Sequence, residues 1–235
     1  MVQDEVSQRS MLSSVVLSED EIRKRLESKD DLLIEPLIDE RTQISGCKID
    51  LRLGGIFYEI KQSGLEAYDP LKPPPTDYRR KIILPLGSAY ILHPGMLALA
   101  PTFESLAMPK DLLGILQGRS SLGRLGIIVH ATAGFVDPGY NGPLTLELSN
   151  LGHLPVALYP LTRVAAIAFI KITGSGKAYD AEITSPIHPE AKIKLGHFHS
   201  PGSEPSKLDE DWEMEVFKEI RKVRNTIGGV GVILL

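Results

Sequence analysis

The segment 117–126 combines the residue types that bind phosphate. It holds Arg119, Ser120, Ser121, Arg124 and three glycines within ten residues. Glycines let backbone N–H groups approach an anion closely, and hydroxyl and guanidinium groups add further donors. The segment lacks the lysine and the spacing of a Walker P-loop. It therefore indicates a phosphate cradle of another kind, with a Gly/Ser turn carrying surface arginines as the alternative interpretation.

Two carboxylates stand in settings that suit proton chemistry. Asp137 precedes Pro138-Gly139, where an aspartate most often forms a turn, and its functional alternative is an acid that orients a sugar hydroxyl or a water. Glu147 lies in an alternating run with Thr145 on its own face and leucines on the other. A solvated strand face is the common interpretation of a lone glutamate. Partial burial would instead suit Glu147 to proton transfer.

The cysteine and histidine pattern argues against a zinc centre. Cys47 is the one cysteine, which excludes an intramolecular disulfide and any site built from two thiolates. The tripeptide 188–190 matches the H-x-E part of the zinc-deaminase signature, but the required P-C-x-x-C does not follow. Three histidines could hold a metal, although their spacing fits no standard zinc pattern: His188, His197 and His199.

The overall composition is that of a folded globular protein. Its 235 residues carry 26 Lys+Arg against 30 Asp+Glu, a formal charge of −4. This balance disfavours a protein that wraps duplex nucleic acid, because phosphate neutralisation there needs clustered cations. No apolar run approaches the ~20 residues of a membrane helix, and the polar N-terminus does not resemble a signal peptide. We therefore expect a cytoplasmic protein that binds neither nucleic acid nor membrane.

Short apolar runs separated by glycine and proline predict many strands rather than long helices. Ser18, with Glu21 three residues later, forms a capping box that predicts a helix over 18–28. The alternation of apolar and charged residues over 49–53 predicts a half-buried strand. Proline-rich polar segments at 62–80 and 174–207 are expected to be loops. The other predicted strands are 32–35, 81–84, 88–93, 96–100, 113–116, 126–130, 144–148, 156–158 and 164–172.

Five motifs in chain order resemble the dCTP deaminase and dUTPase superfamily, and in particular its dCTP deaminase branch. The resemblance covers roughly 15–172 and begins with a helix like the branch's opening helix. The motifs are Gln43–Gly54, His93-Pro94-Gly95, Gly118–Gly126, Ala133–Tyr140 and Thr145–Asn150. Their order makes the combined match specific, although each motif alone is weak. The sequence departs from the family at Ala166, where many members carry Gln, and its phosphate-covering C-terminal segment is not recognisable.

The resemblance implies a fold and an assembly. The subunit is expected to be mainly β, a distorted β-barrel or jelly roll of the dUTPase-like type with short peripheral helices. It is expected to form a homotrimer whose active sites lie between subunits. The predicted domain plan is a flexible extension at 1–14, a nucleotide-binding catalytic domain at 15–206, and a C-terminal helix with an apolar tail at 207–235. Only the catalytic domain is implied by the resemblance, because the segment from 207 onward has no recognised counterpart in the family.

The resemblance also implies roles for single residues. Glu147 would be the general acid/base of deamination and Arg124 would stabilise the transition state. Asp137 would hold the deoxyribose and help to activate water. Mg²⁺ would accompany the phosphates, with no metal ligand from the protein and no zinc. The implied substrate-binding residues are Arg119, Ser120, Ser121, Ala133, Asp137, Thr145, Tyr179 and Lys194.

The resemblance leaves several activities open. Plain dUTPases generally carry an apolar residue where Glu147 stands, so Glu147 favours a dCTP deaminase that releases dUTP and ammonia. Ala133-Gly134-Phe135 before Asp137 resembles a bifunctional branch that continues to dUMP and pyrophosphate. A plain dUTPase and a non-catalytic nucleotide-binding regulator are the remaining alternatives.

Overall fold

A computed structural model of the chain describes residues 15–28, 31–60, 79–129 and 134–173. Numbered in chain order, its helices are α1 (Glu19–Glu27), α2 (Glu40–Gln43) and α3 (Ser120–Gly123). Its strands are β1 (Leu33–Glu35), β2 (Ile44–Ser45), β3 (Lys48–Arg52), β4 (Ile56–Ile60), β5 (Arg79–Ile83), β6 (Tyr90–Leu92), β7 (Leu97–Ala107), β8 (Leu112–Gly118), β9 (Ile127–Val129), β10 (Phe135–Val136), β11 (Asn141–Asn150), β12 (Val156–Leu158) and β13 (Arg163–Lys171).

Antiparallel pairing arranges these strands into two large sheets and a small one. The first has the order β5-β4-β7-β11-β9, with β1 also paired to β7, and the second has the order β10-β8-β13-β3-β2. Strands β12 and β6 form a separate pair. The expected mainly β architecture is confirmed, and among the described residues the sheets remain open rather than closing into a barrel.

Both large sheets contribute to one hydrophobic core. Leu51, Leu116 and Ile167 enter it from the second sheet, and Phe57 and Leu146 enter it from the first, all five at no more than 1% exposure. Such burial of large apolar side chains is the main favourable term in folding. The core therefore fixes which face of each strand is left for polar side chains.

A short connection ties the two sheets together beside the end of β3. The Gly54 N–H donates to the Pro101 carbonyl oxygen of β7 at 2.9 Å. A β-carbon on Gly54 would lie 2.9 Å from that same oxygen, so the approach requires glycine. Strand β3 of the second sheet thereby meets β7 of the first. Charged side chains on β3 are buried near this junction.

Most of the predicted elements are present. Ser18 caps α1 by accepting from the Glu21 N–H, and β1 ends immediately before Pro36, as predicted. Strand β12 matches its predicted range, and β13 differs by one residue at each end. Among the described residues, no helix has the length and apolar character needed to cross a membrane.

The structure corrects three expectations. β3 is buried on both faces rather than half-buried, because Asp50 and Arg52 are covered by charged partners. β5 begins at Arg79, inside the segment expected to be a loop. β7 continues to Ala107, well beyond the predicted end at 100. In addition, strands β2, β4 and β10 were not predicted. The predicted extension 1–14, the loop 174–207 and the helix and tail beyond it lie outside the described residues.

Candidate active site

The predicted phosphate-binding segment forms a tight turn after β8. The Arg119 N–H donates to the Val164 carbonyl oxygen at 3.0 Å, which anchors the turn to β13. The four-residue helix α3 follows at once and is closed by a bond from the Arg124 N–H to the Ser120 carbonyl oxygen at 3.1 Å. Ser120, Ser121 and Arg124 are exposed, and Arg119 is partly buried. The turn thus presents two hydroxyls and two guanidinium groups over a short stretch of backbone.

Two glycines allow this turn to pack as it does. A β-carbon on Gly118 would lie 3.0 Å from the Val129 β-carbon, so glycine lets β8 end close against β9. Gly126 has φ +83°, and a β-carbon there would lie 2.6 Å from the Gly152 nitrogen. Only glycine meets both demands without strain. Glycine is therefore required at 126, whereas at 118 the tight contact with Val129 disfavours a side chain.

A buried carboxylate lies beside the turn and is surrounded by cations. Asp50 on β3 is 3% exposed. Its Oδ1 lies 2.8 Å from the Lys48 Nζ, and its Oδ2 lies 3.5 Å from the Arg119 Nη1 and 3.7 Å from the Arg163 Nη1. The Arg163 Nη1 also donates to the Thr42 carbonyl oxygen at 2.8 Å. Arg119 is thus held in a cluster of three positive side chains.

Strand β11 carries the predicted catalytic glutamate. Leu144, Leu146 and Leu148 are buried, whereas Thr145 and Glu147 on the opposite face are only partly buried. This confirms the alternation predicted from the sequence, and partial burial of Glu147 replaces the interpretation of a fully solvated strand face. The Thr145 hydroxyl oxygen is buried and has no hydrogen-bond partner among the described residues. An unpartnered buried hydroxyl is a group that a ligand or a water can satisfy.

A bulge on β7 sets the position of β11. Thr145 faces Pro101 and Pro143 faces Ser105, so Leu144 alone faces three residues of β7. The Leu144 N–H donates to the Thr102 Oγ1 at 2.9 Å, and this hydroxyl donates to the Glu104 carbonyl oxygen at 2.7 Å. The bulge is therefore fixed by side-chain hydrogen bonds opposite Leu144, the residue of β11 immediately before Thr145.

Glu104 anchors the bulge to β3 through a buried polar network. Its side chain is fully buried and accepts from the Arg52 N–H at 2.7 Å, from the Arg52 Nη1 at 3.2 Å and from the Gln43 Nε2 at 2.9 Å. Burial raises the pKa of Glu104 and lowers the pKa of Arg52, and each opposes the other's shift through its charge. These three donors offset the cost of burying the carboxyl.

Asp137 occupies a turn at the opening of β11. It is exposed, and the Tyr140 N–H donates to its carbonyl oxygen at 3.1 Å. The Gly139 N–H donates to the Met108 carbonyl oxygen at 3.1 Å, so the turn is fastened to the end of β7. This agrees with the turn predicted from Asp-Pro-Gly and leaves the carboxyl accessible to a ligand.

The fold links these groups through strand pairing. β9 follows the 117–126 turn directly and pairs with β11, with Leu148 opposite Val129. The end of the 117–126 turn therefore lies next to the Asn150 end of β11, the strand that bears Glu147. Ala133, Tyr179 and Lys194 lie outside the described residues. Lys48 and Arg163 were not predicted to be site residues. The two-residue spacing of Lys48 and Asp50 on β3 was a usable sequence signal, whereas Arg163 reaches Asp50 only through the pairing of β13 with β3.

Comparison with known proteins places the chain in a family. A family model described as "dCTP deaminase-like" matches residues 16–172. A relative from Dictyoglomus turgidum named "dCTP deaminase, dUMP-forming" is 42% identical over 198 residues, which cover 84% of this chain and 97% of the relative. A relative from Haloarcula marismortui named "dCTP deaminase" is 45% identical over 170 residues, covering 72% of this chain and 87% of the relative.

A solved structure gives the same result at the level of the fold. The crystal structure of 2'-deoxycytidine 5'-triphosphate deaminase from Agrobacterium tumefaciens matches with a TM-score of 0.52 and 27% identity. The match covers 67% of this chain and 48% of that one. Motif order, strand pairing and these similarities agree, and the chain belongs to the dCTP deaminase-like family.

Proposed function

We propose that the protein hydrolyses dCTP to dUTP and ammonia. The names of its relatives support this activity. The observation that carries it is the partly buried Glu147 on β11, a strand that pairs with β9, which follows the turn bearing Arg119 and Arg124. Phosphate-binding donors and a carboxyl that can transfer protons are the groups that deamination of a nucleoside triphosphate uses.

The reaction replaces the amino group at cytosine C4 by the oxygen of water. Glu147 takes a proton from water as the new C–O bond forms at C4, and it passes that proton to ring N3. A further proton transfer through Glu147 reaches the amino nitrogen. The C4–N bond then breaks, and ammonia and the uracil carbonyl are the products. The Arg124 guanidinium stabilises the negative charge that develops during attack.

The remaining site residues bind and orient the nucleotide. Arg119, Ser120 and Ser121 contact the triphosphate, since charge-assisted and hydroxyl donors suit phosphate oxygens. Asp137 holds the deoxyribose, and Thr145 satisfies its buried hydroxyl oxygen at the substrate or at an ordered water. Ala133, Tyr179 and Lys194 complete the proposed contacts and lie outside the described residues.

Mg²⁺ fits this site as a companion of the triphosphate. Among the described residues, no three His, Cys, Asp or Glu side chains lie close enough together to hold a metal. As the family resemblance implies, the ligands of Mg²⁺ would be phosphate oxygens and water, a common arrangement for this ion. Bound in that way, Mg²⁺ supplies shielding of the phosphate charge, while the chain's own arginines bind and orient the phosphates.

We also propose a homotrimer that works in the cytoplasm, with active sites between subunits. Its support is an exposed apolar patch next to the phosphate-binding turn, and such patches commonly mark interfaces. The Leu151 N–H donates to the Gly126 carbonyl oxygen at 2.8 Å, which brings the two segments of the patch together. The patch consists of Leu125 at 57%, Ile128 at 37%, Leu151 at 67% and Leu154 at 76% exposure.

The catalytic domain is proposed to span 15–206, between an extension at 1–14 and a C-terminal helix with an apolar tail at 207–235. The matched family model lies inside this span. Within this span the structure describes residues 15–28, 31–60, 79–129 and 134–173.

A second candidate activity is the release of dUMP and pyrophosphate from the same site. Gly134 precedes Asp137 by three residues, and a β-carbon there would meet a single neighbour, the Leu116 carbonyl oxygen at 3.3 Å. The missing side chain leaves room for a water that Asp137 could activate next to the α-phosphate. The relative named as dUMP-forming supports this candidate.

Identification of the products from dCTP separates the alternatives. The full chain is incubated with dCTP and Mg²⁺, and ammonia, dUTP, dUMP and pyrophosphate are followed over time. Ammonia with accumulating dUTP supports a simple deaminase, and dUMP that appears with ammonia without a lag supports the bifunctional enzyme. Hydrolysis of dUTP without any action on dCTP would make the protein a plain dUTPase. Binding without turnover of either nucleotide would make it a regulator.

A further inference from the structure

We infer that Lys48 and Arg163 bind the triphosphate together with Arg119. The three side chains form a cradle of positive charge around the buried Asp50. The inference rests on the proposed function, because it assumes that a nucleoside triphosphate is the ligand of this site. It adds two phosphate-binding residues that lie outside the 117–126 turn, one on β3 and one on β13.

The charge balance of the cluster points to an additional anion. Asp50 supplies one negative charge at 3% exposure, whereas three cationic side chains lie within 3.7 Å of its oxygens. One cation would suffice to pair a buried carboxylate. The two further cations repel each other at short range, and an anion placed among them relieves that repulsion. A triphosphate supplies several negative charges at a suitable spacing.

The cations are accessible as well as clustered. Their side chains retain 43% exposure for Lys48, 32% for Arg119 and 30% for Arg163. A guanidinium group carries five N–H donors in a fixed plane, and a contact with one carboxylate oxygen leaves others available. Each arginine can therefore keep its contact with Asp50 while it donates to a phosphate oxygen.

The sheet register explains how distant parts of the chain meet here. Asp50 on β3 is opposite Ala166 on β13, and Ala166 is opposite Gln117 on β8. Residues directly opposite in a sheet point to the same face, and two strand spacings amount to about 10 Å. The methyl group of Ala166 leaves open the space across which Arg119, two residues beyond Gln117, approaches Asp50. The cradle is therefore a product of strand pairing in the second sheet.

The test compares binding of inorganic tripolyphosphate with binding of dCMP, using the full-length protein. Arg163→Gln and Lys48→Met each remove one positive charge. Lys110→Gln, at the exposed turn before the far end of β8, is the matched control. We expect each site variant to weaken tripolyphosphate binding about tenfold or more, as loss of a charge-assisted hydrogen bond predicts. Binding of dCMP should change less than threefold, and the KM for dCTP should rise more than kcat falls.

Several outcomes are decisive. Wild-type affinity for tripolyphosphate in both folded variants, or an equal loss for dCMP, would overturn the inference. Arg163→Gln could fail to fold because its hydrogen bond to the Thr42 carbonyl oxygen is lost. In that case tripolyphosphate binding by Lys48→Met, at a half-exposed side chain, provides the test. A wild-type protein that releases no ammonia from dCTP, while its variants still lose tripolyphosphate affinity, would refute the proposed function and leave the cradle intact.

Discussion

At the residue scale, Arg119 and Arg124 belong to the same turn but have different surroundings. Arg119 is partly buried and lies 3.5 Å from Asp50, whereas Arg124 is exposed. A guanidinium held in place before the substrate arrives suits binding of phosphate that is already charged. An exposed arginine near the end of the turn is suited to stabilising charge that appears only during the reaction.

This difference predicts opposite kinetic effects. Arg119→Ala should raise the KM for dCTP about tenfold or more with a smaller effect on kcat, since its contacts form in the ground state. Arg124→Ala should lower kcat more than it weakens binding. Steady-state kinetics on both variants measure the split, with Arg80→Ala on β5 as the arginine control. The reverse pattern would show that the two roles are exchanged.

The surroundings of Asp50 show the limit of inference from sequence at this scale. Alternation along 49–53 identified the strand, but it also placed Asp50 and Arg52 on a solvated face. In the structure both are buried because cations surround Asp50 and Glu104 pairs with Arg52. Buried charges are tolerated only with such partners. Lys48 lies on β3 itself, but the other partners come from β7, from the turn after β8 and from β13. The strand alternation carries no information about which strands will pair.

Removal of metal ions provides a further prediction about the charged groups of the site. A chelator that removes Mg²⁺ should weaken dCTP turnover, because the triphosphate charge is then left to the arginines alone. A chelator selective for zinc should leave turnover unchanged. Initial rates with and without added Mg²⁺ measure the effect, and full activity without any divalent ion would contradict the proposed role of Mg²⁺.

At the scale of elements, helix α1 is fastened to the second sheet by an ion pair. The Arg25 Nη2 lies 2.6 Å from the Oδ2 of Asp111, the residue before β8. Ile22 of the same helix is fully buried in the core. The hydrogen bonds from Arg25 hold the pKa of Asp111 below its usual range. α1 therefore depends on both an apolar contact and a partly exposed charge pair.

The sign of this shift gives a pH-dependent prediction. An aspartate with a lowered folded pKa stabilises the fold above its unfolded pKa, near 3.9, and that contribution is lost as the pH falls through the folded pKa. Asp111→Asn should therefore lower the free energy of unfolding at pH 7 by up to about 1 kcal/mol, because the pair is partly solvated. The difference from wild type should shrink below about pH 4.

Denaturant unfolding at pH 7 and at pH 3 measures both effects. Glu27→Gln at the exposed end of α1 serves as the control. A difference between Asp111→Asn and wild type that stays constant across this range would show that the carboxylate charge is not responsible.

The elements also show why strand boundaries were harder to predict than strand existence. The leucines of β11 alternate cleanly, and the prediction of their buried face is confirmed. β7 was predicted to end at 100, because Pro101 and the charged Glu104 are poor strand signals. It continues since the bulge at 102–104 is satisfied by Thr102 and by the network around Glu104. The residues that hydrogen-bond to Thr102 and Glu104, which include Leu144 and Arg52, lie far from them in the sequence.

At the scale of the whole molecule, the exposed apolar side chains in and beside the 117–126 turn require an explanation. Four large apolar side chains in one patch are costly in water and favourable at a subunit contact. If three copies of the 25.8 kDa chain associate, the particle mass is about 77 kDa (3 × 25.8 kDa). Light scattering on the purified protein measures this mass.

A substitution in the patch tests the same point. Leu151→Ser should weaken association and lower dCTP turnover together, since the proposed active sites lie between subunits. An active monomer would contradict shared active sites.

Proton transfer by Glu147 is the step on which the proposed deamination of dCTP depends most. The most direct measurement is ammonia release from dCTP by wild type and by Glu147→Gln, with nucleotide binding measured in parallel. Glutamine keeps the shape of the side chain but does not shuttle protons. We expect unchanged nucleotide binding and a rate of ammonia release lowered by about 10²–10⁴. Near-normal ammonia release from a folded Glu147→Gln protein would contradict it.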